Sequence, residues 1–332
     1  MKKALFIALA ISFCAHADER IAFTPHYGNG YPEGVAWHAD KQAFLVSSLR
    51  GGTLGLVGLD GSYRVFSADK RLLTSAGLAV DAARKRVLAV NTSPGVAHGD
   101  TDDKRQRTAQ VFEFDMDTGE LRHIYDFSGL SRGATLANDL TLDDQGNIYV
   151  TDSFQPNIYR ANYADKSVSV FLSHSRLRPE SKDETTGLLP NLNGIVYHPG
   201  GYLLASDYVR GKLWKIPLDK PGSFDEIRLP KRLSGPDGLR LLSPDQLVAV
   251  QTAADAEGKM RSEVTFLRSA DAWKTATIEH IQRMGDVDGA TTATLKNDEL
   301  WIVNSHYPSL FAAPEKADDA VQSFELIQIK SR

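Results

Sequence analysis

Asn138-Asp139-Leu140-Thr141-Leu142-Asp143-Asp144-Gln145-Gly146-Asn147-Ile148-Tyr149-Val150-Thr151-Asp152 is the stretch that decides the fold. Two short apolar runs flank Asp144-Gln145-Gly146-Asn147, a cluster of turn formers, so the segment reads as a tight β-hairpin. A polar residue opens the first run and another closes the second.

The same grammar returns along the chain. First runs open at Glu33-Gly34-Val35-Ala36-Trp37, Ala76-Gly77-Leu78-Ala79-Val80, Asn193-Gly194-Ile195-Val196-Tyr197, Asp237-Gly238-Leu239-Arg240-Leu241 and Ala290-Thr291-Thr292-Ala293-Thr294. Pro199-Gly200-Gly201 and Lys296-Asn297-Asp298 supply further turns. The second runs Tyr202-Leu203-Leu204-Ala205-Ser206-Asp207 and Leu300-Trp301-Ile302-Val303-Asn304 follow them. Val111 to Phe114 and Lys212 to Ile216 read as additional strands of the same units.

Units of four short strands, repeated roughly every 40 to 60 residues, describe the blades of a propeller. The predicted fold is therefore all-β: a six-bladed β-propeller with four-stranded antiparallel blades around a central channel. The last strand, Phe324 to Ile329, leaves the sixth blade one strand short, and Arg20 to Thr24 is expected to fill the gap. The longest insertions, residues 93–107, 176–190 and 253–261, have the length of loops that cover or shape a site.

The chain has 332 residues, of which 42% are hydrophobic and 24% charged, ordinary values for a globular protein. Lys2, Lys3, the apolar run Ala4 to Phe13 and Ala15-His16-Ala17 together read as a signal peptide over residues 1–17. The run is about half the ~20 residues that a membrane helix needs. Residues 18–332 then form one propeller domain, exported to the periplasm or secreted.

Cys14 is the only cysteine, and bulky Phe13 before it argues against lipid anchoring. Without a thiol, the mature chain has no disulfide, no thiol catalysis and no zinc–thiolate site. A formal charge of −4, lowered by two more when Lys2 and Lys3 leave, gives no reason to expect nucleic acid as a partner. A small molecule is the expected partner, and a monomer the expected state.

In a propeller the innermost strands line the axis, so equivalent positions of the repeats converge there. The residues opening them are Glu33, Ala76, Asn138, Asn193, Asp237 and, in the sixth unit, approximately Ala290. Four of these six carry side-chain oxygens: two carboxylates and two carboxamides. That donor set suits one hard divalent cation, calcium first, with magnesium, manganese or zinc admissible. Any one of these residues alone is more simply a turn former; the expectation rests on four sharing one phase of the repeat.

Pro32-Glu33-Gly34, Ala137-Asn138-Asp139, Leu192-Asn193-Gly194-Ile195 and Pro236-Asp237-Gly238-Leu239 resemble the metal-ligand motifs of the SMP-30/gluconolactonase/LRE-like family. Its relatives include paraoxonases and the squid-type phosphotriesterase propellers. The resemblance covers essentially the whole mature chain and keeps the order Glu, Asn, Asn, Asp over blades one, three, four and five. It implies a metal-dependent hydrolase of lactones, esters or phosphotriesters.

In one respect the chain departs from the pattern. Sugar-acid lactonases of the family carry an arginine two residues before the blade-three asparagine; here that residue is Leu136. The segment around Asn138 is closer to the broader lactonase and strictosidine-synthase-like members.

The expected reaction is hydrolysis of a lactone or related ester, the ion polarising the carbonyl and Asp237 acting as general base or direct nucleophile. Two alternatives stand beside it: a strictosidine-synthase-like non-hydrolytic enzyme, and a binding propeller whose ion is structural. His98, His174 and His306 read as surface or structural histidines, and Asp286 and Asp288 as a solvated turn. Asp152 and Asp207, at matched phase, read as backbone hydrogen-bonding groups.

Overall fold

The turn at residues 143–147 shows how the sequence makes a hairpin. Gly146 adopts φ 83°, and its N–H donates to the Asp143 carbonyl at 2.9 Å. Asp143 Oδ1 accepts from the N–H groups of Gln145 (3.0 Å) and Asn147 (2.9 Å). A carboxylate that satisfies two turn donors fixes where the strands reverse.

Six such hairpins, each extended outward, appear in the computed structural model, which describes residues 19–26, 30–101, 103–179, 190–318 and 322–330. The expected signal peptide and Cys14 lie outside these residues. Among the described residues, no helix is long and apolar enough to cross a membrane.

The architecture is a six-bladed β-propeller: six four-stranded antiparallel sheets around a common axis. The inner strands are Val35–His38, Thr74–Asp81, Ala137–Leu142, Leu192–His198, Pro236–Ser243 and Ala290–Lys296. In blades one to five the chain runs outward through consecutive strands. The sixth sheet is different. Its outermost strand is Arg20–Phe23, pairing antiparallel with Phe324–Ile329 in the register Arg20↔Ile327 to Phe23↔Phe324. The first strand of the domain thus completes the last blade, as the sequence led us to expect.

The core is a ring of contacts between blades. Leu45, Leu54, Leu78 and Phe112 pack blade one on blade two. Phe44, Trp301 and Phe324 close blade one on blade six. Trp214 is buried between blades three and four. Neighbouring sheets bury their faces on one another all the way round, leaving the inner strands to face the axis.

Candidate functional site

Five of the six inner strands begin with a local irregularity. Register shifts fall between Ser75 and Leu78, Ala137 and Leu140, Leu192 and Ile195, Pro236 and Leu239, and Ala290 and Ala293. Such a bulge re-aims the side chain it carries. Here it sits at the same place in five blades.

The pairing also corrects the sixth position. Ala290 pairs with Asn304 as Ala137 pairs with Asp152 and Leu192 with Asp207, so the counterpart of Asn138 and Asn193 is Thr291. Glu33, Ala76, Asn138, Asn193, Asp237 and Thr291 all line a single cavity of about 400 Å³. Three residues further along, Ala36, Ala79, Thr141, Val196, Arg240 and Thr294 all line a second cavity of about 320 Å³. Two rings, roughly 10 Å apart by strand rise, thus define the channel.

The four oxygen-bearing residues are held by their neighbours. The backbone N–H groups of Glu33 and Gly34 donate to Ser47 Oγ at 3.1 and 2.6 Å. Thr151 Oγ1 donates to the Asn193 carbonyl at 2.6 Å, and Ser206 Oγ to the Asp237 carbonyl at 3.0 Å. Thr291 Oγ1 donates to the Glu33 carbonyl at 2.6 Å. Hydroxyls from the preceding blade therefore pin the backbone of three of the four. A Cβ on Gly34 would lie 2.3 Å from the Ala76 carbonyl, and one on Gly194 2.3 Å from that of Asp237, so only glycine allows the strands this approach.

The free valences point to chemistry. Asn138 Nδ2 donates to Ser153 Oγ at 3.1 Å. Glu33 Oε2, Asn138 Oδ1 and Asn193 Oδ1 are buried with no hydrogen-bond partner. Three acceptors without a donor at one cavity is a costly arrangement, since each buried unsatisfied group costs about 1–3 kcal/mol. Burial pushes the Glu33 carboxyl well above its ordinary value, and Asp237 and Asp139 add to the shift. Burial also raises Asp237, with Asp139 reinforcing and Asn193 opposing. Among the described residues, no three His, Cys, Asp or Glu side chains cluster to hold a metal; Glu33 and Asp237 are the only carboxylates of this set, the remaining donors being carboxamides.

Asp139 and Arg240 lie deeper and were given no role by sequence reasoning. Asp139 accepts from the N–H groups of Leu140 (2.8 Å) and Ile195 (3.2 Å), joining blades three and four. Burial pushes its carboxyl up to about 6 against those hydrogen bonds and the Arg240 charge. Arg240 donates through Nε to the Ala293 carbonyl at 3.1 Å.

Two phenols close over the site. Tyr208 OH donates to the Thr252 carbonyl at 3.1 Å and lies 3.3 Å from Tyr307 OH. Tyr307 opens the short helix Tyr307–Ala312, inside an insertion that the repeat pattern does not cover. Burial raises its phenol, with Tyr208 and Asp237 adding to the effect. Of the long insertions, residues 93–107 contribute Pro94 and Gln106 to the wall and 176–190 contribute Pro190. Residues 253–261 line a different depression.

The histidines set aside in the sequence are elsewhere. His98 pairs with Asp318, His174 caps the turn at Ser175–Leu177, and His306 binds Asp288 at 2.7 Å. Asp286 pairs with Arg20 at 2.8 Å. Asp152 accepts from the N–H groups of Leu136, Phe154 and Gln155, and Asp207 from Arg210 and Trp214.

No family model matches this chain. No curated protein matches it by sequence. Solved structures do match in shape. A gluconolactonase from Xanthomonas campestris is 16% identical over 92% of this chain and 88% of its own, with a TM-score of 0.56. A streptogramin B lyase is 11% identical over 94% and 98%, with a TM-score of 0.55. A chain of a nidogen/laminin complex is 17% identical over 86% of each, with a TM-score of 0.51. At these identities the likeness shows the fold, a six-bladed propeller that serves both enzymes and binding proteins.

Proposed function

We propose that this protein is a divalent-cation-dependent hydrolase of a lactone or related ester, of the SMP-30/gluconolactonase/LRE-like type. One observation carries the reading: three buried oxygens, from Glu33, Asn138 and Asn193, line one cavity with Asp237 and have no hydrogen-bond donor. A cation is the partner such a set lacks. Glu33, Asn138, Asn193 and Asp237 would hold it, and the oxygen-only donors favour calcium. The two carboxylates match its charge, and so offset their own burial.

The chemistry such an ion supplies is Lewis-acid polarisation of an ester carbonyl. The remaining work falls to side chains. Asp237, its backbone held by Ser206, takes a proton from water as the water oxygen bonds to the carbonyl carbon. The acyl C–O bond then breaks, and the proton passes to the alkoxide. Tyr307 and the apolar wall limit the water that reaches the cavity. The Xanthomonas gluconolactonase, a lactone hydrolase by its name, gives the reaction class support through fold.

The test is a lactone and ester panel on the mature protein. Turnover should vanish with chelator, return with calcium, and be absent from Asp237→Asn. Chelator-resistant turnover, or full activity in Asp237→Asn, would overturn the mechanism. Chelator-induced unfolding with no turnover would make the ion structural and the protein a binding propeller.

A further inference from the structure

The wall above the four oxygen donors is apolar. Leu49, Pro94, Leu136, Phe154 and Phe311 all face the cavity, and no lysine, arginine or histidine lines it among the described residues. Phe311 is 49% exposed and stands on the rim beside Tyr307, with ring centroids 6.4 Å apart. The ring carries the apolar lining of the cavity out to its mouth.

The wall's hydroxyls are largely committed. Thr92 Oγ1 donates to the Thr108 carbonyl at 3.3 Å, Thr291 Oγ1 to that of Glu33 and Tyr208 OH to that of Thr252. Above the four oxygen donors, Gln106 and Tyr307 are the polar side chains of the lining with no hydrogen bond to a backbone carbonyl among the described residues. A polyhydroxylated ring entering here would give up hydrogen bonds to water and regain few, each loss being worth about 1–3 kcal/mol. An alkyl or aryl group gains by the same transfer.

We propose that the molecule this cavity accepts is a lactone or ester carrying an apolar substituent, which lies between Leu136, Phe154 and Phe311, and not a sugar-acid lactone. The proposal rests on the hydrolase reading for its reacting group, and on the wall alone for its substituent. A cavity of about 400 Å³ is at the small end of the range for small-molecule sites and suits a single short chain or ring.

The experiment uses the calcium-loaded protein and γ-lactones from γ-butyrolactone to γ-undecalactone, with glucono-1,5-lactone alongside. Each methylene that enters the cavity should raise kcat/KM about fourfold until the cavity is full, and glucono-1,5-lactone should be the poorest substrate. Phe311→Asp, at an exposed position that tolerates the change, should reduce the preference for γ-undecalactone over γ-butyrolactone at least tenfold. A flat dependence on chain length, or glucono-1,5-lactone as the best substrate, overturns the proposal and leaves the hydrolase reading intact. Calorimetric binding of N-alkyl pyrrolidinones, which do not hydrolyse, separates the two failures. If no lactone turns over but affinity still rises with chain length, the hydrolase reading falls and the apolar site stands. If neither binding nor turnover depends on the chain, the proposal is wrong.

Discussion

Thr291 Oγ1 donates a 2.6 Å hydrogen bond to the backbone carbonyl of Glu33, a residue 258 positions earlier in the chain. The bond joins the sixth blade to the first at the axis, so closure of the ring and placement of a candidate ligand share one contact. Opening the ring would release Glu33 from the other donors.

Thr291→Val keeps the side-chain shape and leaves that carbonyl without its donor. The expected cost is about 1–3 kcal/mol in urea unfolding, with weaker calcium binding in titration calorimetry. Thr291→Ser should restore both. An unchanged unfolding midpoint in the valine variant would show that the bond does not couple closure to the site.

A cation held only by the folded protein must stabilise it. Calcium at a hundred times its Kd should add about 2.7 kcal/mol, seen as a rise in Tm by scanning calorimetry. Glu33→Gln removes one of the two charges matched to the ion and should abolish most of that rise. A Tm indifferent to calcium and to chelator would remove the ion from the account.

The outermost strand of blade six comes from the start of the domain, and Phe23 anchors it. Phe23 is 2% exposed and packs on Tyr63 and Phe324, with ring centroids 6.3 and 6.1 Å away. Phe23→Ala should cost about 3–5 kcal/mol. Deleting residues 18–24 should expose the edge of Phe324–Ile329 and promote aggregation, measurable by light scattering. A deletion variant as stable and monodisperse as the parent would mean the closure contributes nothing.

A pH-sensitive centre lies away from the channel. Arg86, 1% exposed, pairs with Asp81 and Glu113 at 2.9 Å each. Burial opposes ionisation of Glu113, but hydrogen bonds from Arg86 and Tyr125, with the Lys166 charge, outweigh it and hold the carboxyl below its ordinary 4.5. A lowered folded value means that the stabilisation is complete above the unfolded value and is lost as pH falls through the folded one. Urea unfolding should therefore show stability falling below about pH 4.5, and less steeply in Glu113→Gln. Arg86→Met leaves Asp81 only Arg84 and Glu113 only Lys166 as charged partners, and should cost about 3 kcal/mol at pH 7. Identical acid limbs in parent and Glu113→Gln would contradict this.

The repeat determined much of this by itself. Glu33, Asn138, Asn193 and Asp237 occupy one phase of the pattern, and rotational symmetry sends one phase to one place, so their shared cavity was legible without coordinates. The unpaired last strand made the role of Arg20–Phe23 legible too. Thr291 was missed by one position, because a bulge inserts a residue that strand alternation does not announce. Tyr307, Phe311 and Gln106 come from insertions outside the repeat, where no periodicity says which side chain turns inward. Asp139 and Arg240 acquire meaning only from burial and from each other's charge, which are properties of the packed channel. Symmetry placed the polar floor; the walls that choose a ligand were left to tertiary structure, because loops obey their local contacts and not the repeat.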